Sequence, residues 1–396
     1  MKQITQYFRK EPLTVLLLVA PLAIIAEVAD WGAFWVFLFS ALAVVPLAGF
    51  IGGATEVLAS HTGPRLGGLI NATLGNAAEL IITVVALREG LFELVLASIT
   101  GSILGNVLLV FGMAILLGGL RNGIQTFNRR HALTNAILLV LAVITLVIPS
   151  LLSASIGDEH SVKVEVLSLG VATVMITLYI LGIVFTFKMK PEELPNGILH
   201  TGPLAGGPQH ETNPEAVSKE TSLAKQISAP SSHLVTSGLT HPKWSVRTAL
   251  VILAISTAGV AYLSELLVGS VEPLVANLGI SEFFLGIILI PIVGNVAEHL
   301  VAVKVAIQNQ MDLSVEIVMA SSLQIALFVA PVLVFIGLLM GQPLHLVFNQ
   351  FELLALIVGV LIAALTAADG EANWLEGAEL LAVYLILALA FFLLPT

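Results

Sequence analysis

The sequence predicts an all-α integral membrane protein of about eleven transmembrane helices, one N-terminal helix plus two inverted five-helix repeats. Three observations lead there. Hydrophobic residues make up 57% of the chain and charged residues 11%, with a mean hydropathy of +1.01, whereas a soluble domain is about 45–50% apolar and about 25% charged. Apolar runs long enough to cross a bilayer recur from end to end, and 396 residues leave room for about a dozen spans of roughly 20 residues. A short motif occurs twice inside such runs, Gly75-Asn76-Ala77-Ala78-Glu79 and Gly294-Asn295-Val296-Ala297-Glu298.

Taken in order, the runs place spans at 12–28, 33–57, 66–87, 94–117, 132–149, 164–187, 248–270, 280–304, 313–338, 346–366 and 374–394. The first follows Lys2, Arg9 and Lys10, as a signal peptide would, but only a few residues separate it from the next run, so it reads as an anchor. With a cytoplasmic N-terminus, Arg65, Arg121, Arg129, Arg130, Lys188, Lys190, Lys219, Lys225, Lys243, Arg247 and Lys304 join those three in or beside cytoplasmic segments. Only Arg88 and Lys163 fall on the other side, and this bias supports the span count and puts the C-terminus outside.

Four regions follow: an N-terminal transmembrane helix (1–30), a first five-helix repeat (31–187), a flexible cytoplasmic linker (188–243) and a second five-helix repeat (244–396). The linker is rich in Pro, Gly, Ser and Thr, and its His200, His210, His233 and His241 are too irregularly spaced for a metal site. The motif glutamates lie 219 residues apart (298 minus 79). Gly101-Ser102-Ile103-Leu104 matches Ser321-Ser322-Leu323-Gln324 at 220 (321 minus 101), and Thr55-Glu56 matches Ser264-Glu265 at 209 (265 minus 56). An odd number of helices per repeat makes the second enter the bilayer from the opposite side, the arrangement of secondary transporters with a midplane site.

A charge in a spanning helix costs about 3 kcal/mol or more unless it is compensated, so a carboxylate kept there twice points to function. On a helix Asn76 shares a face with Glu79, and Asn295 with Glu298, while Thr73 and Thr83 extend the first polar stripe. Gly75 weakens the helix beside one acid, and Pro291 frees the carbonyl of Ile287 near the other. The chain has no Cys, so a metal must be held by oxygen or imidazole. Two carboxylates, two amide oxygens and freed carbonyls suit calcium, which takes about 6–8 oxygens, with water completing the shell. One divalent ion or a pair of protons can neutralise the same two acids in turn, which with alternating access suffices for antiport.

Ser102, Asn106, Ser322 and Gln324 either add ligands or second-shell donors, or glue helices together. His299 either relays protons or is a hydrogen-bonded structural residue. Glu56 and Glu265 stand near span ends, as entrance or gate acids gathering cations or as carboxylates reaching headgroup water.

These residues resemble the calcium/proton exchangers of the cation/calcium exchanger superfamily over nearly the whole chain. The likeness rests on Gly75-Asn76-Ala77-Ala78-Glu79-Leu80, Gly101-Ser102-Ile103-Leu104-Gly105-Asn106, and Gly294-Asn295-Val296-Ala297-Glu298-His299 followed by Met311-Asp312 and Ser321-Ser322-Leu323-Gln324-Ile325. It implies an eleven-helix fold whose first helix stands apart, with Glu79 and Glu298 as central metal ligands and proton acceptors. It also implies that the second and seventh helices, bearing Glu56 and Glu265, move to gate the two sides. Some members carry an acidic helix between the halves; here the linker mixes Glu with Lys, which speaks against cation capture by such a helix.

The expected activity is secondary active antiport of cytoplasmic calcium against protons by alternating access. A sodium/calcium or other divalent cation exchanger is the alternative within transport, and would need further oxygen ligands. A membrane-embedded enzyme would need a nucleophile, a histidine set or paired aspartates near one face, and the sequence offers none. A channel sits poorly with inverted halves. Calcium is therefore the transported substrate, with no cofactor, no enzymatic activity and no nucleic-acid partner expected. The expected location is the plasma (inner) membrane of a prokaryote or a vacuole-type membrane, with calcium, protons and the lipid bilayer as partners.

Overall fold

The computed structural model describes residues 12–157, 161–188 and 244–394, so the predicted linker and its histidines lie outside the described residues. The described chain is helical almost throughout. We label the helices α1 (Leu13–Val28), α2 (Ala33–Leu74), α3 (Ala77–Arg88), α4 (Phe92–Asn122), α5 (Arg129–Ile156), α6 (Val162–Lys188), α7 (Val246–Leu278), α8 (Glu282–Ile307), α9 (Met311–Met340), α10 (Gln350–Ala368) and α11 (Trp374–Phe392). Among the described residues nine helices are long and apolar enough to cross a membrane; α1 and α3 are shorter.

Local chemistry sets the ends. Asn349 accepts from the backbone of Glu352 at 2.9 Å while the Glu352 side chain accepts from Asn349 N at 2.8 Å, a capping box that starts α10. Asn373 and Glu376 start α11 in the same way. Gly279 (φ 65°) and Gly341 (φ 72°) terminate α7 and α9 in the left-handed conformation that glycine adopts without steric cost.

The main departure from the sequence reading lies between the predicted second and third spans. The expected break at 58–65 is absent as a loop; the backbone stays helical to Leu74 and breaks only at Gly75-Asn76. Ser60 Oγ donates to Val57 O at 2.8 Å, and Thr62 Oγ1 to Ala59 O at 3.1 Å, so these polar side chains serve the helix. Nor is α2 straight. A Cβ on Gly67 would stand 2.5 Å from Ala59 O, whereas residues eight apart on a straight helix are about 12 Å apart. The segment turns back sharply where a loop was expected, although its residues keep a helical assignment.

Helix α4 is the innermost. Of its most apolar stretch 72% lies inside the protein, against 22% for α6 and for α11, and Ile99, Ile103, Leu104, Leu108 and Phe111 on it are fully buried. Glycines set its closest approaches: a Cβ on Gly112 would lie 3.0 Å from Gly377 O, and one on Gly377 would lie 2.7 Å from Gly112 O, so α4 and α11 cross backbone to backbone. Helices α2 and α7 form the most extensive helix pair, and α1 packs chiefly along α2. Exposed Trp31 and Trp35, at and just before the start of α2, have the amphipathic character of a membrane-interface belt.

At one end of the bundle the α4–α5 connection ties several helices together. A two-stranded ribbon pairs Gln125 with Ala372 and Thr126 with Glu371. Gln125 Nε2 donates to Ala306 O at 2.8 Å and Asn122 Nδ2 to Ile307 O at 3.2 Å, satisfying terminal carbonyls of α8. Arg129 Nε does the same for Ala368 O at the end of α10, at 2.7 Å.

Candidate functional site

Both motifs meet in the interior. The break at Gly75-Asn76 starts α3 at Ala77 and puts Glu79 in its first turn, where it is 1% exposed. Glu298 stands inside α8, reached through a π-turn over Leu285–Leu289 and then Pro291. π-turns also follow Leu104 on α4 (Gly105–Val110) and Gln324 on α9 (Ile325–Val329), so three helices around the site are locally unwound in the way often found at functional positions. Glu298 is only partly buried, which makes the two acids unequal in access.

Each motif glycine makes room for the other motif's acid. A Cβ on Gly75 would stand 3.3 Å from Glu298 Oε1, and a Cβ on Gly294 would stand 3.4 Å from Glu79 Cβ. The hydrogen bonds repeat the correspondence. Glu79 Oε1 accepts from Ser102 Oγ, and Glu298 Oε2 accepts from Ser321 Oγ at 2.9 Å; each serine lies 23 residues beyond its acid. Neither glutamate makes an ion pair among the described residues.

The asparagines connect the halves. Asn295 Nδ2 donates to Glu79 Oε2 at 3.2 Å and to Ser102 Oγ at 3.3 Å. Asn76 Nδ2 donates to Gln324 Oε1 at 2.7 Å, while its Oδ1 is buried without a hydrogen-bond partner among the described residues. An amide oxygen left over beside two carboxylates is a ready acceptor for a cation.

Other predicted residues are disposed differently. His299 Nε2 lies 3.2 Å from Asn106 Oδ1, so the imidazole bridges α8 to the π-turn of α4. Thr73 donates to Leu69 O at 2.9 Å, and Ser322 turns back to Val318 O at 2.9 Å. Glu56 sits on α2 and Glu265 on α7, where Glu265 accepts from Arg88 Nη1 at 3.1 Å. The carbonyl of Ile287, expected to be free for a ligand, instead faces the bare Cα of Gly101.

A family model described as "Sodium/calcium exchanger protein" matches residues 32–188 and 248–393, taking in both motifs. The chain is 45% identical to a Ca(2+)/H(+) antiporter of Synechocystis sp. over 383 residues, 96% of this chain and 97% of the relative. It is 40% identical to the Ca(2+)/H(+) antiporter ChaA of Bacillus subtilis over 94% of this chain and 96% of that one. The chain belongs to the calcium/proton exchanger family of the cation/calcium exchanger superfamily. The solved structure of native YfkE superposes with a TM-score of 0.77 at 36% identity, covering 96% of this exchanger chain and all of that one.

Sequence reading of this exchanger missed Ser321, because the 220-residue match paired Ser102 with Ser322. The hydrogen bonds put the correspondence at 219, the same as for the acids. Glu352 also escaped notice. It is a buried carboxylate, but it caps α10 and accepts from Thr100 Oγ1 at 3.3 Å, so its role is structural; the Asn349 to Glu352 spacing was the signal that could have found it.

Proposed function

We propose that this chain is a secondary active antiporter that exchanges cytoplasmic calcium for protons by alternating access at a midplane site built on Glu79 and Glu298. The reading rests on the reciprocal seating of the two motif acids, each against the other half's glycine and each held by a serine 23 residues on. Asn76, Asn295, Ser102 and Ser321 add neutral oxygen around them, and Gln324 holds Asn76. The donors are hard oxygens, as calcium requires. Among the described residues no three acids, histidines or cysteines converge on one metal position. Two carboxylates with neutral partners make a moderate site, since calcium affinity follows the number of charged ligands, and moderate affinity lets a transported ion leave.

Among the described residues no basic side chain neutralises the pair, so ions from solution must do so, and either one calcium or two protons balances it. The names of the Synechocystis and Bacillus relatives, Ca(2+)/H(+) antiporters, support this pairing of ions. In this reading the eleven helices comprise a separate α1 and two inverted five-helix repeats, and α2 and α7 carry the gate acids Glu56 and Glu265. The end bearing the α4–α5 ribbon is cytoplasmic and the end bearing Arg88 and Glu265 is outer. Direct ligation by Asn106, Thr73, Ser322 and His299 is no part of the proposal; His299 and Asn106 brace α8 against α4.

The test is purified protein in sealed vesicles with an internal pH dye. Calcium-driven proton movement without sodium, abolished by Glu79→Gln and by Glu298→Gln, is the expected result. An absolute sodium requirement transfers the chain to sodium/calcium exchange, and undiminished exchange in both variants removes the two-glutamate site.

A further inference from the structure

Helix α3 is twelve residues long, with Glu79 in its first turn and Arg88 in its last. The two lie about 13–14 Å apart along the axis. The Gly75-Asn76 break separates α3 from α2 at the Glu79 end, so α3 is a short rod with an acid at its inner end and a cation at its outer end. Arg88 Nη1 donates to Glu265 Oε1 on α7 at 3.1 Å, while Nη2 and Nε donate to Glu89 Oε1 at 2.9 and 3.1 Å. One rigid guanidinium fork thus joins the Glu79 helix to α7. The Arg88 and Glu265 side chains are about half exposed (49% and 50%), so the tie is reached by solvent, screened by salt and weak enough to break and reform in a transport cycle.

We infer that Arg88 is a positioning residue for exchange: its fork latches the outer end of the Glu79 helix to α7 in this conformation and releases Glu265 when the outer side opens. The inference rests on the alternating-access reading above. Two observations support this direction of action. Glu265 is a carboxylate of α7 already occupied by a tethered cation, so a cation arriving there must displace the guanidinium. The more accessible central acid is Glu298, whereas Glu79, at the other end of the latched helix, is sealed.

The chain has no cysteine, so Arg88→Cys with Glu265→Cys introduces the only two thiols. Bridging them with a short methanethiosulfonate cross-linker should stop calcium/proton exchange, and dithiothreitol should restore it, which also shows that the protein is folded. In sided vesicles Arg88→Gln should lower KM for calcium offered from outside and raise it from inside, each by up to about fivefold, the most that a solvent-exposed pair supports. Arg88→Glu combined with Glu265→Arg should return both values toward wild type. Full-rate exchange in the bridged protein, or equal changes on both sides in Arg88→Gln, overturns the latch while leaving the antiport reading intact. Wild-type vesicles that exchange nothing overturn both.

Discussion

Replacing Gly101 with alanine tests whether the site depends on a backbone crossing. A Cβ there would overlap the Ile287 carbonyl oxygen and stand 2.6 Å from its carbon and 2.7 Å from Ile287 Cα, all of them backbone atoms that no rotamer change can move. Ordinary contact needs about 3.4–4 Å, so α4 and α8 must part by roughly 1 Å, at a cost of about 1–3 kcal/mol in overpacking. Ser102 is the next residue, and Asn295 on α8 donates to its Oγ at 3.3 Å. A displacement of that size takes the bond out of range. Loss of a hydrogen bond in a charged site costs about 1.5 kcal/mol or more, which converts to about a tenfold rise in calcium KM. Gly105→Ala is the control, one helical turn along, since a Cβ there meets nothing within 4 Å. Initial exchange rates against calcium, with thermal unfolding in detergent, make the comparison. If Gly101→Ala keeps KM within twofold and its Tm unchanged, the crossing does not position the site.

Three further expectations follow from particular contacts. Ser321→Ala should raise calcium KM by about tenfold, because a hydrogen bond to an ionised acid is lost, and Ser322→Ala should leave it within twofold, because that hydroxyl serves Val318 O; equal effects would contradict the assignment. Gly75→Ala should impair exchange far more than Gly294→Ala, since the first Cβ would meet Asn71 O at 2.6 Å and Glu298 Oε1 at 3.3 Å while the second meets Glu79 Cβ at an ordinary 3.4 Å; the reverse order would show that the glycines do not seat the acids. Asn349→Ala should cost about 1 kcal/mol through loss of the cap on α10 and lower Tm without altering KM, and a change in KM alone would mean that Glu352 acts on the transported ion.

The membrane class, the helices and the two motifs were legible because apolar length and a buried charge are properties of the sequence itself. The edges of α2 were not. Ser60, Thr62, Gly63 and Pro64 carry the composition of a loop, yet hydroxyl bonds to preceding carbonyls keep the described backbone helical and the change of direction is absorbed as a bend. Ser321 was obscured by a one-residue error of register, which on a helix turns a side chain by about 100° and exchanges a site donor for a backbone-bonded neighbour. The fates of the Ile287 carbonyl and of Arg88 were invisible for another reason. The first depends on a glycine 186 positions away (287 minus 101) and the second on a glutamate 177 positions away, and neither pair leaves a local pattern.

The exchange of seats between Gly75 and Gly294 has a consequence for inheritance. A side chain acquired at position 75 meets a carboxylate 223 residues further on (298 minus 75), and one acquired at 294 meets the backbone and Cβ of Glu79 in the first half. Neither half, made as a separate polypeptide, would surround its acid with the other half's groups, and two such fragments should regain the site only when produced together. The duplicated segments are therefore bound to change in step, like the two faces of a hinge cut from one plate.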